Sequence, residues 1–189
     1  MVKTRVTAEA LIAAAADMAD EVGFDNVTVI ALARRFGVKD ASLYSHIKNV
    51  RELRERVAAL ALTELADKAA DALAGRAGKD ALIAFAGAYR DYAKEYPGRY
   101  AAGQLDIDLD SPAVPPARRH AELARALLRG YNLAEPDETD AVRFLNGALH
   151  GYVSIEKSGG FRHSARDVDA SWARALDALD AVLRNWPSD

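Results

Sequence analysis

Side chains that could hold the phosphate groups of a nucleic acid are concentrated between residues 34 and 56. Seven basic residues lie in this stretch against three acidic ones, although the whole chain carries a net charge of −3. Hydroxyl groups, a tyrosine and a histidine lie among the cations. Hydroxyls, cations and helix N-terminal amides all bind phosphate oxygens. The stretch therefore indicates a phosphate-facing surface, although on charge alone a solvated face of mixed charge fits equally well.

No other set of residues has the spacing of a catalytic or metal site. The chain has no cysteine, which excludes disulfides, thiolate metal sites and cysteine nucleophiles. Residues 106–110, DIDLD, begin like a calcium-binding loop, but Ser111 and Ala117 replace the glycine and the glutamate that such a loop needs. No glutamate is followed three residues later by a histidine, as bundle metal sites require. We therefore expect no metal, no cofactor and no enzymatic activity, and we expect a solvated loop at 106–116.

The elements that would position the cationic stretch are helices. Apolar residues recur at helical spacing along almost the whole chain, and no segment alternates as a strand does. No apolar run approaches the ~18 residues of a membrane span, so we expect a soluble cytoplasmic protein. We predict an all-α fold with nine helices, at about 7–22, 29–36, 40–45, 49–73, 80–95, 97–105, 116–131, 136–158 and 168–185.

Two short predicted helices, 29–36 and 40–45, meet at a tight turn. Gly37 permits the left-handed backbone conformation that this turn needs, and Ala33 is small enough for a close crossing. Val38 and Leu43 supply apolar contacts between the two helices. The pattern predicts a helix-turn-helix, whose second helix lies in the major groove of DNA. An ordinary corner between two helices is the alternative at this point.

The residues that follow the turn favour the helix-turn-helix over an ordinary corner between two helices. Residues 43–53, LYSHIKNVREL, resemble the most recognisable stretch of the TetR family of transcriptional regulators. Residues 21–24, EVGF, and 28–29, TV, also match the end of the family's first helix and the start of its second. The resemblance is specific over about 7–57 and implies a DNA-binding regulator.

The resemblance also implies roles for individual residues. In the family, the start of the recognition helix reads base edges, and neighbouring residues hold the DNA backbone. The corresponding residues are Lys39, Asp40, Ala41 and Ser42 for the bases, and Thr28, Tyr44, His46 and Lys48 for the backbone. Val50 stands where many members have a lysine, so one phosphate contact is expected to be missing. Burial of Tyr44 as a core aromatic is an alternative that is compatible with the phosphate contact.

A second, fainter match lies late in the chain. Residues 148–156, ALHGYVSIE, resemble the C-terminal domain type of this family that carries a Trp-His-Gly motif, with Leu149 in the place of the tryptophan. The resemblance implies an effector pocket. An aromatic stripe and two further residues are the candidates for its wall: Phe85, Tyr89, Tyr92, Tyr96, Tyr100, Gln104 and Phe144. The alternative for such a stripe is ordinary hydrophobic core.

The last two helices carry apolar stripes that the resemblance assigns to a dimer interface. The residues are Ala148, Tyr152, Ile155, Trp172, Leu176, Leu179 and Leu183. Reading DNA with twofold symmetry also needs two recognition helices. The alternative is that both stripes bury the chain's own core.

These observations predict a dimeric, ligand-responsive transcriptional regulator. A DNA-binding domain at 1–50 would be linked, through the fourth helix at 49–73, to an effector-binding and dimerisation domain at 51–189. The expected partners are a palindromic double-stranded DNA operator, a small hydrophobic effector that releases the repressor from it, and a second copy of the chain. The alternative is a small all-α ligand-binding or adaptor protein without sequence-specific DNA binding.

Overall fold

The computed structural model describes residues 6–187, and all the regular structure in this range is helical. The nine predicted helices are all present among the described residues. Eight of them are α-helices, and the third, Asp40–Ser45, is a 3-10 helix. Two short 3-10 turns at Phe24–Asn26 and Arg129–Tyr131 accompany them. The predicted all-α class is therefore confirmed.

The α-helices are numbered in chain order. They are α1 (Ala8–Val22), α2 (Val29–Phe36), α3 (Val50–Leu73), α4 (Gly78–Glu95), α5 (Pro97–Ala102), α6 (Val114–Leu128), α7 (Asp137–Lys157) and α8 (Val168–Arg184).

One difference from the predicted bounds lies around the loop before α6. The helix begins at Val114, two residues earlier than predicted, because Pro115 and Pro116 occupy its first turn. The N–H groups of that turn have no partner within the helix, so prolines are tolerated there. The loop therefore ends sooner than the proline content of 106–116 suggests.

Two compact units account for the described chain. The first comprises the described residues up to Glu64 together with Glu95–Arg118, and the second comprises Leu65–Lys94 and the described residues from Arg119 onward. The units differ from the ranges 1–50 and 51–189, because residues 51–64 and 95–118 pack with the N-terminal helices. The functions assigned to those two ranges remain a prediction.

The first unit has a hydrophobic core built from α1, α2, the 40–45 helix and the start of α3. Its members without exposed surface include Leu11, Ala15, Leu32, Leu43, Leu53 and Val57. Val22 and Val50, which the helical periodicity puts on the buried faces, are about half exposed. Each is the end residue of its helix, where the chain turns away from the core.

The short helix α5 is attached to α1 through its backbone. The Asp20 carboxylate accepts hydrogen bonds from the N–H groups of Gly98 (2.8 Å) and Arg99 (2.9 Å), at the N-terminus of α5. A carboxylate is favourable there because it satisfies unpaired N–H groups and the positive end of the helix dipole. A Cβ on Gly98 would lie 2.0 Å from the carbonyl carbon and oxygen of Ala19. Only glycine allows the two helices to approach this closely.

We expect Gly98→Ala to lower the free energy of unfolding by about 3 kcal/mol, because the new methyl group meets backbone rather than a movable side chain. Urea unfolding would measure this loss. Gly87→Ala is the matched control, since a Cβ on Gly87 meets no atom within 4 Å. It should leave stability unchanged or raise it by up to about 1 kcal/mol through helix propensity. Equal stabilities for the two variants would contradict the prediction.

The second unit contains a buried cation among its apolar residues. Arg90 of α4 is 6% exposed and donates two hydrogen bonds to Glu156 of α7, Nε to Oε2 at 2.8 Å and Nη2 to Oε1 at 2.6 Å. Nη2 also lies 2.7 Å from Oδ1 of Asp169, and the guanidinium lies 5.1 Å from the centre of the Trp172 ring. Because a buried charge must be neutralised, this network fixes α4, α7 and α8 against one another.

Glu156→Gln should destabilise the protein by about 2–3 kcal/mol, because it leaves Arg90 buried with one carboxylate partner fewer. Urea unfolding at neutral pH would measure this cost. Asp140→Asn, which removes a solvent-exposed pair with Arg143 in the first turn of α7, is the control and should cost less than about 1 kcal/mol. An equal loss of unfolding free energy for the two substitutions would show that the buried Arg90–Glu156 pair stabilises the fold no more than an exposed pair does.

The same pair gives a pH dependence. Hydrogen bonds from Arg90, with a further one from Lys94, keep the pKa of the Glu156 carboxyl below its ordinary value of 4.5 although burial opposes them. A carboxyl whose pKa is lower in the folded state stabilises the fold fully above the unfolded-state pKa, and the effect is lost as the pH falls through the folded-state pKa. The stability difference between wild type and Glu156→Gln should therefore shrink as the pH falls below 4.5.

Candidate nucleic-acid interface

The turn between α2 and the 40–45 helix has the geometry that the sequence predicts. Thr28 caps α2, and its Oγ1 accepts a hydrogen bond from the N–H of Ala31 at 3.2 Å. Gly37 ends the helix in the left-handed region (φ 66°, ψ 33°), and the N–H of Val38 donates to the carbonyl of Ala33 at 3.0 Å. A Cβ on Gly37 would meet no atom within 4 Å, so the backbone conformation and not a lack of space requires glycine here.

The recognition surface consists of exposed residues carried on buried anchors. Leu43 has no exposed surface, and Ile47 is 2% exposed, so the short helix and the segment after it are fixed to the core of the first unit. Of the predicted contacts to bases and to the DNA backbone, only His46 is half-buried. The others are exposed: Thr28, Lys39, Asp40, Ala41, Ser42, Tyr44 and Lys48. Tyr44 is 50% exposed, so it is not a core aromatic.

Local hydrogen bonds fix the 40–45 helix, which has six residues. The Asp40 carboxylate accepts from the N–H of Ala41 at 2.9 Å, and the Ser45 hydroxyl donates to the carbonyl of Ser42 at 2.7 Å. Six residues are a long run for a 3-10 helix, because its hydrogen-bond geometry disfavours long runs, and these side-chain hydrogen bonds support it. The Lys39, Asp40, Ala41 and Ser42 side chains consequently lie within one turn of an exposed helix N-terminus.

The start of α3 has a reciprocal cap. Asn49 Oδ1 accepts from the N–H of Glu52 at 2.8 Å, and the Glu52 carboxylate accepts a short hydrogen bond from the N–H of Lys48. Such a pair satisfies N–H groups that the helix itself cannot satisfy. The segment that carries His46 and Lys48 is thereby held against the first turn of α3.

Ion pairs separate the seven basic residues of the 34–56 stretch into two groups. Four of them have carboxylate partners: Arg35 with Glu21, Arg51 with Glu55 and Asp108, Arg54 with Asp25, and Arg56 with Glu52. Within residues 6–187, Arg34, Lys39 and Lys48 have none. The cations that remain available for phosphate groups are therefore fewer than the composition suggests, and two of them are predicted DNA contacts.

Comparison with known proteins decides the family. Residues 11–57 match the family described as bacterial regulatory proteins, tetR family, and residues 82–179 match the tetracyclin repressor-like C-terminal domain. An uncharacterized HTH-type transcriptional regulator of Mycobacterium tuberculosis, Rv0681, is 34% identical over 157 residues, which cover 82% of this chain and 72% of the relative. The chain belongs to the TetR family of transcriptional regulators.

Other comparisons agree with this assignment. YobS of Bacillus subtilis, also an uncharacterized HTH-type transcriptional regulator, is 31% identical over 183 residues, which cover 97% of this chain and 92% of that protein. The crystal structure of a TetR variant from Acinetobacter baumannii AYE in complex with minocycline has the same fold. It aligns with a TM-score of 0.72 and 24% identity, over 98% of this chain and 100% of that one.

The TetR family combines an N-terminal DNA-binding domain with a C-terminal ligand-binding domain, so the predicted ligand-responsive transcriptional regulator is confirmed at this level. Its members are regulators and not enzymes. Within the described range, no three His, Asp or Glu side chains are placed to hold a metal ion. No helix in that range is long and apolar enough to cross a membrane.

The candidate effector residues of this TetR-family chain belong to both compact units. Phe85, Tyr89 and Tyr92 are buried in the second unit. Tyr96 and Tyr100 belong to the first, because the helical register ends at Tyr96, the residue before Pro97 (φ −126°, ψ 66°). Gln104 and Phe144 are exposed, and the effector wall to which they were assigned stays a prediction.

Sequence reasoning missed the polar residue nearest the buried aromatic residues. The His120 ring of α6 lies 5.5 Å from the centre of the Phe85 ring and 6.1 Å from that of Tyr89. Its Nε2 is buried without a hydrogen-bond partner among the described residues, as is Oδ1 of Asn146 on α7. Burial lowers the pKa of His120, so the imidazole is neutral at pH 7. The position of His120 on an otherwise apolar helix face was the available signal.

The predicted dimer residues differ in how far they are buried within the single chain. Trp172, Leu176, Leu179 and Leu183 of α8 are buried within the chain, so this stripe packs in the chain's own core and is not an exposed interface. Tyr152 is half-buried, with its hydroxyl donating to the carbonyl of Val168 at 3.1 Å. Ala148 is half-buried and Ile155 is 47% exposed. An apolar stripe fixes which face of α8 is buried, but not whether its own chain or a second copy covers it.

The unpaired cations lead to a measurable expectation for DNA affinity. Lys48→Gln should weaken binding to a labelled duplex of random sequence and reduce the slope of log K against log[salt] by about 0.9 for each protomer that contacts the DNA, the value for one phosphate contact. Fluorescence anisotropy across a KCl series would measure both quantities. Lys79→Gln removes an equal charge from a lysine that is paired with Asp177. It should leave the slope unchanged, and an equal change in slope for both variants would exclude a specific Lys48 contact.

Proposed function

We propose that this TetR-family regulator is a homodimeric repressor that binds a palindromic DNA operator and leaves it when a small, largely apolar effector binds. The observation that carries the proposal is the 40–45 helix, which is anchored by Leu43 and presents exposed side chains next to cations without carboxylate partners. An operator-binding protein acts where the DNA lies, so the cytoplasmic location expected from the sequence is part of the proposal.

The proposed DNA contacts divide by chemistry. Lys39, Asp40, Ala41 and Ser42 would face base edges in the major groove, where a lysine can donate to guanine O6 and N7. The Thr28, Tyr44, His46 and Lys48 side chains would hold phosphate oxygens. Thr28 can do so while capping α2, because its oxygen accepts the N–H of Ala31 and its hydroxyl hydrogen is still available to donate.

The proposed dimer interface uses the exposed faces of α7 and α8. Phe144 and Ile155 of α7 are 43% and 47% exposed, and Val182 of α8 is 41% exposed. The small residues Gly147, Ala178 and Ala181 are exposed on the same two helices. Exposed apolar groups on neighbouring helices, with small residues among them, suit a face that a second copy covers.

The proposed effector site lies in the second unit, around Phe85, Tyr89 and His120. Buried aromatic rings and two buried polar atoms without partners, His120 Nε2 and Asn146 Oδ1, suit an apolar ligand with one or two hydrogen-bonding groups. The ligand would shift an equilibrium between a DNA-binding and a non-binding conformation, by no more than its difference in affinity for the two.

Selection from a pool of random duplexes, followed by sequencing, tests the proposal. We expect enrichment of a palindrome whose half-sites lie about one helical turn apart, because a symmetric dimer presents two recognition helices. Lys39→Gln should change the preferred base at one position of each half-site, whereas Lys48→Gln should weaken binding without changing the selected sequence. The enriched operator then serves to screen small molecules for release.

Absence of any enriched sequence, with shallow salt dependence, would overturn the proposal. It would instead favour a ligand-binding or adaptor protein without sequence-specific DNA binding. Enrichment of a single half-site by a monomer would overturn the dimeric part alone.

A further inference from the structure

The acidic segment 106–110 has no role in the function proposed above, yet one of its carboxylates contacts the start of α3. Arg51 Nη2 donates a hydrogen bond to Asp108 Oδ2 at 2.6 Å, although the two residues are 57 positions apart. Arg51 Nε is bound separately by Glu55, at 2.9 Å from Oε1. The loop therefore occupies one of the two terminal nitrogens of Arg51, a cation in the first turn of α3.

The position of Asp108 is set by its own loop. The N–H of Ser111 donates to the carbonyl of Asp108 at 3.0 Å, and Ser111 is buried. Ala113, two residues further on, has no exposed surface. A buried anchor close behind the acidic residues keeps this end of the loop at the surface of the first unit.

Arg51 and Lys48 line the same surface cleft, which has a volume of 490 Å³. Three cations and four carboxylates line this cleft, so acidic groups are in excess where the proposed DNA contact of Lys48 lies. Carboxylates repel DNA phosphates and compete with them for guanidinium groups. Arg51 could therefore bind a phosphate in this cleft, but the Asp108 carboxylate already holds its Nη2 group.

We propose that Asp108 keeps Arg51 from binding a DNA backbone phosphate by holding its Nη2 group. The proposal rests on the DNA binding proposed above. In the wild-type protein the pair is retained on DNA, and Arg51 does not add to the count of phosphate contacts. Releasing Nη2 from Asp108 makes it available to a backbone phosphate beside Lys48, while Glu55 continues to hold Nε.

The test compares Asp108→Asn with Asp110→Asn, on the full chain and a labelled duplex of random sequence, between about 50 and 200 mM KCl. Both substitutions remove one negative charge from the lining of the same cleft, but only Asp108 is paired with Arg51. For each protomer that contacts the DNA, Asp108→Asn should raise affinity about fivefold near 100 mM KCl and steepen the salt slope by about 0.9, as one added phosphate contact does. Asp110→Asn should leave the slope unchanged.

The double variant Asp108→Asn with Arg51→Gln assigns the gain to Arg51. It should lose both the added affinity and the added slope, whereas Arg51→Gln alone should leave the wild-type slope unchanged. Thermal unfolding of each variant identifies any loss of folding, which a solvent-exposed pair should not cause. Equal slopes for Asp108→Asn and Asp110→Asn, with normal wild-type binding, would overturn the role of Arg51 but not the proposed function. A wild-type protein that binds no duplex would overturn the proposed function as well.

Discussion

The contact between the Gly98 backbone and the Ala19–Asp20 peptide determines how the first unit is assembled, since α1 packs against both α5 and α2, and α2 in turn packs against the 40–45 helix. The Asp20 carboxylate completes the N-terminus of α5, and Arg99 forms ion pairs with Asp17, Asp20 and Glu64. A six-residue helix has little stability of its own. Its position therefore depends on these tertiary contacts.

The recognition surface depends on the same core. A 3-10 helix with exposed polar residues keeps a fixed position only because Leu43 and Ile47 are buried beneath it. The reciprocal cap of Asn49 and Glu52 then fixes the segment that leads into α3. The charges on this surface are largely compensated by carboxylates of other segments, which leaves a small number of cations to set the strength of DNA binding.

Local features of the structure could be predicted from the sequence because local physics determines them. The cap at Thr28 and the left-handed Gly37 depend on residues three or four positions away. The contacts of Gly98, His120 and Asp108 join segments far apart in the chain, and no spacing in the sequence encodes them. The stripe of Trp172, Leu176, Leu179 and Leu183 shows the remaining difficulty, since periodicity predicts burial but does not identify the covering surface.

Helix α3 has a consequence for how the protein unfolds. It runs without interruption from Val50 to Leu73, and the limit between the two compact units falls between Glu64 and Leu65, inside the helix. Backbone hydrogen bonds of one unit thus continue into the other, and complete opening of either unit frays a helix that both share. The N–H groups of residues 65–68 bond to carbonyls four residues earlier, in the other unit, so these amide hydrogens are expected to exchange when either unit opens and to report the less stable of the two.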